Sequence, residues 1–395
     1  MTAVRRQDSG VSVRRGAISL WTAGVLGLCG FAGFCVISIR LDSARLQHAR
    51  YAAESAAIAA AHAWLTDDLL RASQAAFEVE GRTIRSREAA DAALSGYRTA
   101  GAPLIPRPED PECFWSTGSG VESRPFSVPV AVRVTIPEVI PATSPGLARL
   151  LTGQSLSVAS TAAIESHPAA LCPAPDSSIA FLPFAAIEDA LGSWSQLIDL
   201  QTGTDVWSWN PQNRQFDSGP DGIPEITVTL DTDAASGSGP RLLGLNMRAA
   251  AETGIPVPTH AEIIRSGLTR QCLDGLGLAE LRYPSSFEGT TLSGPELSEC
   301  LGAIAETPYE PRILSLATPV AAVAAESPAE SPAVASAATP VQLVRPVAVR
   351  VADLAQTSAS SATLVLQPCV LVSALIRTDR TVPASRCVYS VRLVE

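Results

Sequence analysis

The feature that most limits what this chain can become is a run of 24 residues without a charge, Gly16 to Ile39. As a helix at ~1.5 Å per residue it measures ~36 Å, enough to cross a hydrocarbon core of ~30 Å with some tilt. It continues without a Gly or Pro break through Arg40-Leu41-Asp42-Ser43-Ala44-Arg45 into Tyr51-Ala52-Ala53-Glu54-Ser55-Ala56-Ala57-Ile58-Ala59-Ala60-Ala61. Alanine is the strongest helix former, so one helix is expected to span a membrane and project out of it. Arg5, Arg6, Arg14 and Arg15 precede the span against one acid, Asp8. The positive-inside tendency then puts residues 1–15 in the cytoplasm and the body outside it, as a single-pass inner-membrane protein with a periplasmic body. A cleaved signal peptide would have an apolar core of ~7–15 residues and a small-x-small site. Here the run is longer and ends in Ile-Ser-Ile-Arg. Gly24, Gly27, Gly30 and Gly33 recur every third residue, a spacing suited to a small-residue ridge on the span.

The balance of charge narrows the partners. Net charge is −10, all 29 basic residues are arginine, and no basic block follows the juxtamembrane arginines. An acidic body of this kind gives nucleic acid no foothold, so none is expected as a partner. Two of the eight cysteines, Cys29 and Cys35, lie in the span. The other six (Cys113, Cys172, Cys272, Cys300, Cys369 and Cys387) contain no CxxC, and in an exported body at least one disulfide among them is expected.

The fold class expected is α+β, an N-terminal transmembrane helix continuing into a long Ala-rich helix and then a mixed, mainly β body. After the span at 16–39, residues 40–98 keep a helical pattern, with Gly81 as a point of division and Thr66-Asp67-Asp68 as a helix start. Residues 99–177 read as a strand region with Pro-rich loops. Its two strands, Phe126–Ile136 and Gln154–Ile164, flank a short helix at Gly146–Leu151, and His167–Ser177 forms a Pro-rich connection. A long helix followed by strand, short helix and strand is a pilin-like layout. Residues 178–317 are a mixed body whose clearest strand is Glu225–Leu230. The Ala/Pro/Ser-rich stretch 318–345 reads as a linker, and residues 346–395 return to strand patterning.

Motifs for catalysis are missing. There is no GxSxG, HExxH, GxGxxG or phosphate loop, and His48, His62, His167 and His260 are scattered. His260 sits in Thr259-His260-Ala261-Glu262, a helix start. Asp231-Thr232-Asp233-Ala234-Ala235 lacks the Asp-x-Ser-x-Ser of a metal-dependent adhesion site. Asp217, Asp221 and Glu225 recur at every fourth position around a Gly turn; calcium wants six to eight oxygens, so a structural turn is the expected reading. No enzyme, cofactor or metal site is expected.

Some of these residues carry a resemblance. Arg14-Arg15-Gly16-Ala17 before the span, Asp42 with Arg45 after it, and the Ala-rich helix containing Glu54 resemble the N-terminus of TadE/TadG-like proteins of Flp (tight-adherence) pilus assembly. Glu54 stands where that family usually has Asp. Arg133-Val134-Thr135-Ile136-Pro137 and Ser157-Val158-Ala159-Ser160-Thr161-Ala162 look like its paired strands. Trp21 occupies the place where pilins of that system carry Glu, so an uncleaved anchor is expected. The resemblance implies an envelope anchor or scaffold, with the membrane and other pilus-assembly components, or a second copy, as partners. A surface-exposed adhesin or ligand-binding module on the same anchor is the alternative. Ala52, Ala53, Ala56, Ala57 and Ala60 leave a helix face without bulk, which is expected to pack closely on a partner helix.

Overall fold

The computed structural model describes residues 12–71, 79–99, 102–107, 109–115, 128–140, 156–187, 192–200, 202–231, 240–247, 258–320 and 339–394. A single helix, α1 (Ser12–Trp64), runs through the apolar stretch and the alanines without interruption. It stops at Trp64 because Leu65 and Thr66 leave the helical conformation, Thr66 being extended at φ −113° and ψ 162°. A one-turn 3₁₀ helix, Asp67–Leu70, follows, and α2 (Val79–Leu94) runs back along α1. Division therefore falls at Trp64 rather than at Gly81, which lies in the first turn of α2. Thr66 makes no side-chain cap.

The distal half of α1 lies across a mainly antiparallel sheet, with Leu371–Val372 parallel to its neighbour. Its described strands run in the order Leu371–Val372, Val388–Val394, β3 (Leu156–Glu165), β2 (Ala131–Ile140) and β1 (Glu112–Phe114). Alternation drives this packing: Val132, Val134 and Ile136 are buried toward the helix while Arg133 between them is exposed. Residues 126–127 and the expected helix at 146–151 lie outside the described residues. A helix layered on an antiparallel sheet is what the pilin-like reading expected. The sheet's second strand, however, comes from residues 388–394, paired Ser390 to Glu165 through Val394 to Thr161.

Beyond Glu165 the chain builds a second core. Its strands are β4 (Phe181–Ile187), β5 (Ile226–Asp231), β6 (Arg241–Leu245), β7 (Ser285–Thr290), β8 (Arg312–Pro319), β9 (Thr339–Ser358) and β10 (Ser361–Pro368). The pairings close on themselves: β8 lies beside β4, β4 beside β6, β6 beside β5, β5 beside β10, β10 beside β9, and β9 beside β8 again. At the other end β7 bridges β6 and the first residues of β9. Closure leaves no free edge along most of the ring. All seven residues of β4 are buried, as a strand covered on both faces requires. The outer cover includes α3 (His260–Ser266) and α4 (Gly294–Glu306). Both begin with capping boxes, Thr259 with Glu262 and Ser293 with Glu296, so the helix start read around His260 is present.

Three expected boundaries change. Pro168–Leu171 within the supposed connection is a buried strand, paired with Leu281–Arg282 and Ile376–Thr378. The stretch 318–345 does not separate domains, because its two ends are neighbouring strands: Pro319 pairs with Val341, and residues 321–338 lie outside the described residues. Residues 346–395 are not a separate region either. They supply β10 and most of β9 to the barrel and Val388–Val394 to the helix-bearing sheet. The strand read at 225–230 is observed as β5.

Candidate membrane interface

Helix α1 changes partners along its length. From Trp21 to Phe31 every residue is exposed, including Trp21 (77%), Leu26 (72%) and Phe31 (63%). An 18-residue window here has a mean hydropathy of 2.0, and the helix is long and apolar enough to cross a membrane. An added Cβ at Gly24, Gly27, Gly30 or Gly33 would meet nothing within 4 Å, so the small-residue ridge is open. Cover begins at Cys35 and becomes complete along Ala49, Ala52, Ala53, Ala56, Ala57, Ala60 and Ala61.

Those alanines correct the expectation of a partner helix. Ala52, Ala53, Ala56, Ala57 and Ala60 have no exposed surface, and they belong to one core with Val132, Val134, Ile136, Ala162 and Val391 of the same chain. The physical reasoning about small side chains holds, but the backbone they admit is that of α2. Ser86 of α2 is fully buried and donates from Oγ to the Ala60 carbonyl at 3.0 Å, which demands a close helix–helix approach. The other signature residues take local roles. Arg14, Arg15 and Gly16 lie in the first turns of α1. Asp42 is buried with Arg45 3.8 Å away, and Glu54 accepts from Arg50 at 2.8 Å.

The sequence reading missed the joint between the two cores. Leu69 packs in the helix–sheet core and Leu70 in the barrel core, so the 3₁₀ turn is shared. Asp67 accepts from Arg350 Nη1 at 2.6 Å and from the Val370 peptide N–H at 2.7 Å. The Arg350 guanidinium lies 4.5 Å from the Trp209 ring centre, and Trp209, Phe216 and Tyr309 contact one another. Asp68 pairs with Arg71 and Arg85. The helix start read at Thr66-Asp67-Asp68 is present as the 3₁₀ turn, and both carboxylates are also bound by arginines.

The acidic turn is a structural device. Asp205 accepts from the Asp221 and Gly222 N–H groups, Asp221 from those of Trp209 and Ile223, and Glu225 from those of Val206 and Trp207. Gln367, fully buried, places Nε2 within 3.0–3.4 Å of oxygens from Glu225, Trp207, Ile223 and Asp221. The amide thus fills the oxygen-rich centre that a cation would need. Among the described residues no group of His, Cys, Asp and Glu is arranged to hold a metal, and 232–239 lie outside them.

Burial holds the Asp221 and Glu225 carboxyls above their ordinary pKa, against the peptide N–H groups that lower them. A carboxyl with a raised folded pKa binds more protons folded than unfolded, so its contribution to stability falls as pH rises through that window, upward from the ordinary carboxylate value. Gln367→Glu adds another carboxyl to this cluster. The variant is expected to have a urea midpoint well below wild type at pH 7 and to regain part of the difference at pH 5. Equal losses at both pH values would show that charge is not the cause.

The histidines do not converge. His48 contacts the Tyr97 ring at 5.3 Å and His260 Nε2 lies 2.8 Å from the Leu245 carbonyl oxygen. All eight cysteines are free thiols, which corrects the expected disulfide. Cys369 and Cys387 are buried close to each other, and the other body thiols have separate surroundings. Cys172 donates to Glu280 at 3.1 Å with its pKa pushed up to about 11, Cys272 meets Thr269 Oγ1 at 3.0 Å, and burial pushes Cys300 up to about 12. A cavity of about 10 Å³ beside Leu70, Ile223 and Cys387 is the size of a single water. Comparison of this chain with family models, with curated proteins and with solved structures finds no match.

Proposed function

We propose that this chain is a membrane-anchored envelope scaffold: α1 crosses the inner membrane with residues 1–15 in the cytoplasm and carries the two-core body on the far side. The observation that supports this most is the division of one continuous helix into an exposed apolar part and a part buried along one face in the body. A soluble protein rarely exposes so large an apolar surface, which an aqueous environment would penalise and a bilayer would not. The pilin-like layer of helix on sheet, with the signature Arg14-Arg15-Gly16, Asp42, Arg45 and Glu54, favours a role like that of TadE/TadG-like pilus-assembly components. The role is structural, as an anchor or scaffold. Partners would then meet the span or the outer surfaces of the body, since the alanine face is filled.

Protease added to intact spheroplasts of cells expressing the full chain should degrade the body and leave a small membrane-held N-terminal fragment. A body protected until the membrane is lysed would reverse the orientation. Release of the chain by carbonate extraction would remove the anchor. Loss of surface pili on deletion, restored by the full chain, is the expected result for the scaffold role. Intact pili with lost adhesion would favour a ligand-binding module instead.

A further inference from the structure

The exposed apolar face of α1 does not end where the body begins. At Cys35 one face of the helix becomes covered, and Ser38 (9% exposed) and Asp42 (7%) are buried on it. Spacings of three and four keep that covered stripe running through Ala49 and Ala53. Over the same turns the rest of the helix circumference stays open and, apart from Arg40, apolar. Phe34, Ile37 (60%) and Leu41 (54%) lie three and four residues apart, with Val36 and Ile39 also exposed. For seven residues, Cys35 to Leu41, the helix has protein along one stripe and, apart from Arg40, bare apolar surface around the rest.

We propose that this overlap is immersed: the outer end of the span sits with one face on lipid and the other on the protein's own body, so the body rests against the membrane surface without a free stalk. The inference rests on the anchor reading above and adds where the bilayer ends. Lipid is the occupant because the stripe is continuous with the exposed surface of the span from Trp21 to Phe31. Seven residues rise ~10 Å, somewhat more than one headgroup layer of ~5–7 Å. Exposed Arg40 lies between Ile39 and Leu41, and its long side chain can reach lipid phosphates while the neighbouring apolar groups stay in the bilayer. The acid at this depth, Asp42, is turned into the covered side and lies 3.8 Å from Arg45.

The test uses the full chain in vesicles of phosphatidylethanolamine and phosphatidylglycerol, with a diazirine amino acid replacing Leu26, Ile37, Ser38 or Leu41 one at a time. Mass spectrometry after irradiation separates phospholipid adducts from intramolecular cross-links, and protease resistance of the body checks folding. The expected result is lipid adducts at Leu26, Ile37 and Leu41, and a cross-link to the protein itself at Ser38. Lipid adducts at Ser38 as abundant as at Ile37 would overturn the proposal, because the helix would then be surrounded by lipid at that depth. Lipid capture at Leu26 with none at Leu41 would also overturn it, leaving a stalk. No lipid capture at Leu26 would instead reject the anchor itself. Should the Ser38 variant misfold, Leu41 decides alone.

Discussion

Leucine at both Ala56 and Ala60 is expected to break the body apart. Both side chains have no exposed surface and lie in a filled core, and Ser86 of α2 donates to the Ala60 carbonyl, so α2 runs close beside this part of the helix. Overpacking a filled core costs about 1–3 kcal/mol at each site, occasionally more. Since domains are stabilised by only about 5–15 kcal/mol in all, the double variant gives up a large share of that margin. Urea unfolding of the full chain in detergent should show a lower midpoint, with early proteolysis between α1 and α2. Were the alanines instead a docking face for another protein, the variant would lose its partners at wild-type stability.

Asp67→Ala should cost nearly as much from a single atom group. Its carboxylate is held by Arg350 Nη1 and the Val370 N–H, and it spans the joint between the two cores. Removing one partner of a buried ion pair leaves the other charge stranded, typically at about 3–5 kcal/mol. Asp67 keeps 21% of its side-chain surface in water, so the expected loss is the lower end, about 3 kcal/mol. Arg350→Met strands the Asp67 carboxylate in its turn, but should be milder because that group keeps the Val370 N–H and more contact with water than the guanidinium has. Adding Arg350→Met to Asp67→Ala should recover part of the loss. Fluorescence of Trp209, under the guanidinium, reports the joint. Additive losses in the double variant would show that the two side chains act separately.

What the sequence showed depended on how far apart the interacting residues lie. The helix, the alternation of Val132, Val134 and Ile136, and the cap at Thr259 are local patterns, and each was legible. The alanine face was legible as a place of close approach, but α2 could not be chosen over an outside helix by spacing alone. Pairing of Ser390 with Glu165, and of Asp67 with Arg350, joins residues hundreds of positions apart. Nothing near Asp67 indicates an arginine at 350. The Ala/Pro/Ser composition after Thr318 suggested a segment unable to build a core, yet Val341 and Leu343 within the stretch 318–345 are buried in the barrel. Composition could not show that the segment returns the chain to the strand beside the one it left.

The strand Val388–Val394 has a consequence for biogenesis. Synthesis from the N-terminus makes the alanine helix first, and β3 follows about a hundred residues later. The strand that must lie beside β3 is synthesised only after another 220 or so. At ~5–20 residues per second that interval is ~10–45 s, during which the first sheet has an open edge. The barrel, begun later, also waits for β9 and β10. Neither half can therefore mature by itself as it emerges. A nascent chain interrupted before residue 388 would keep its strand edge bare, so the two cores have to assemble as one late event.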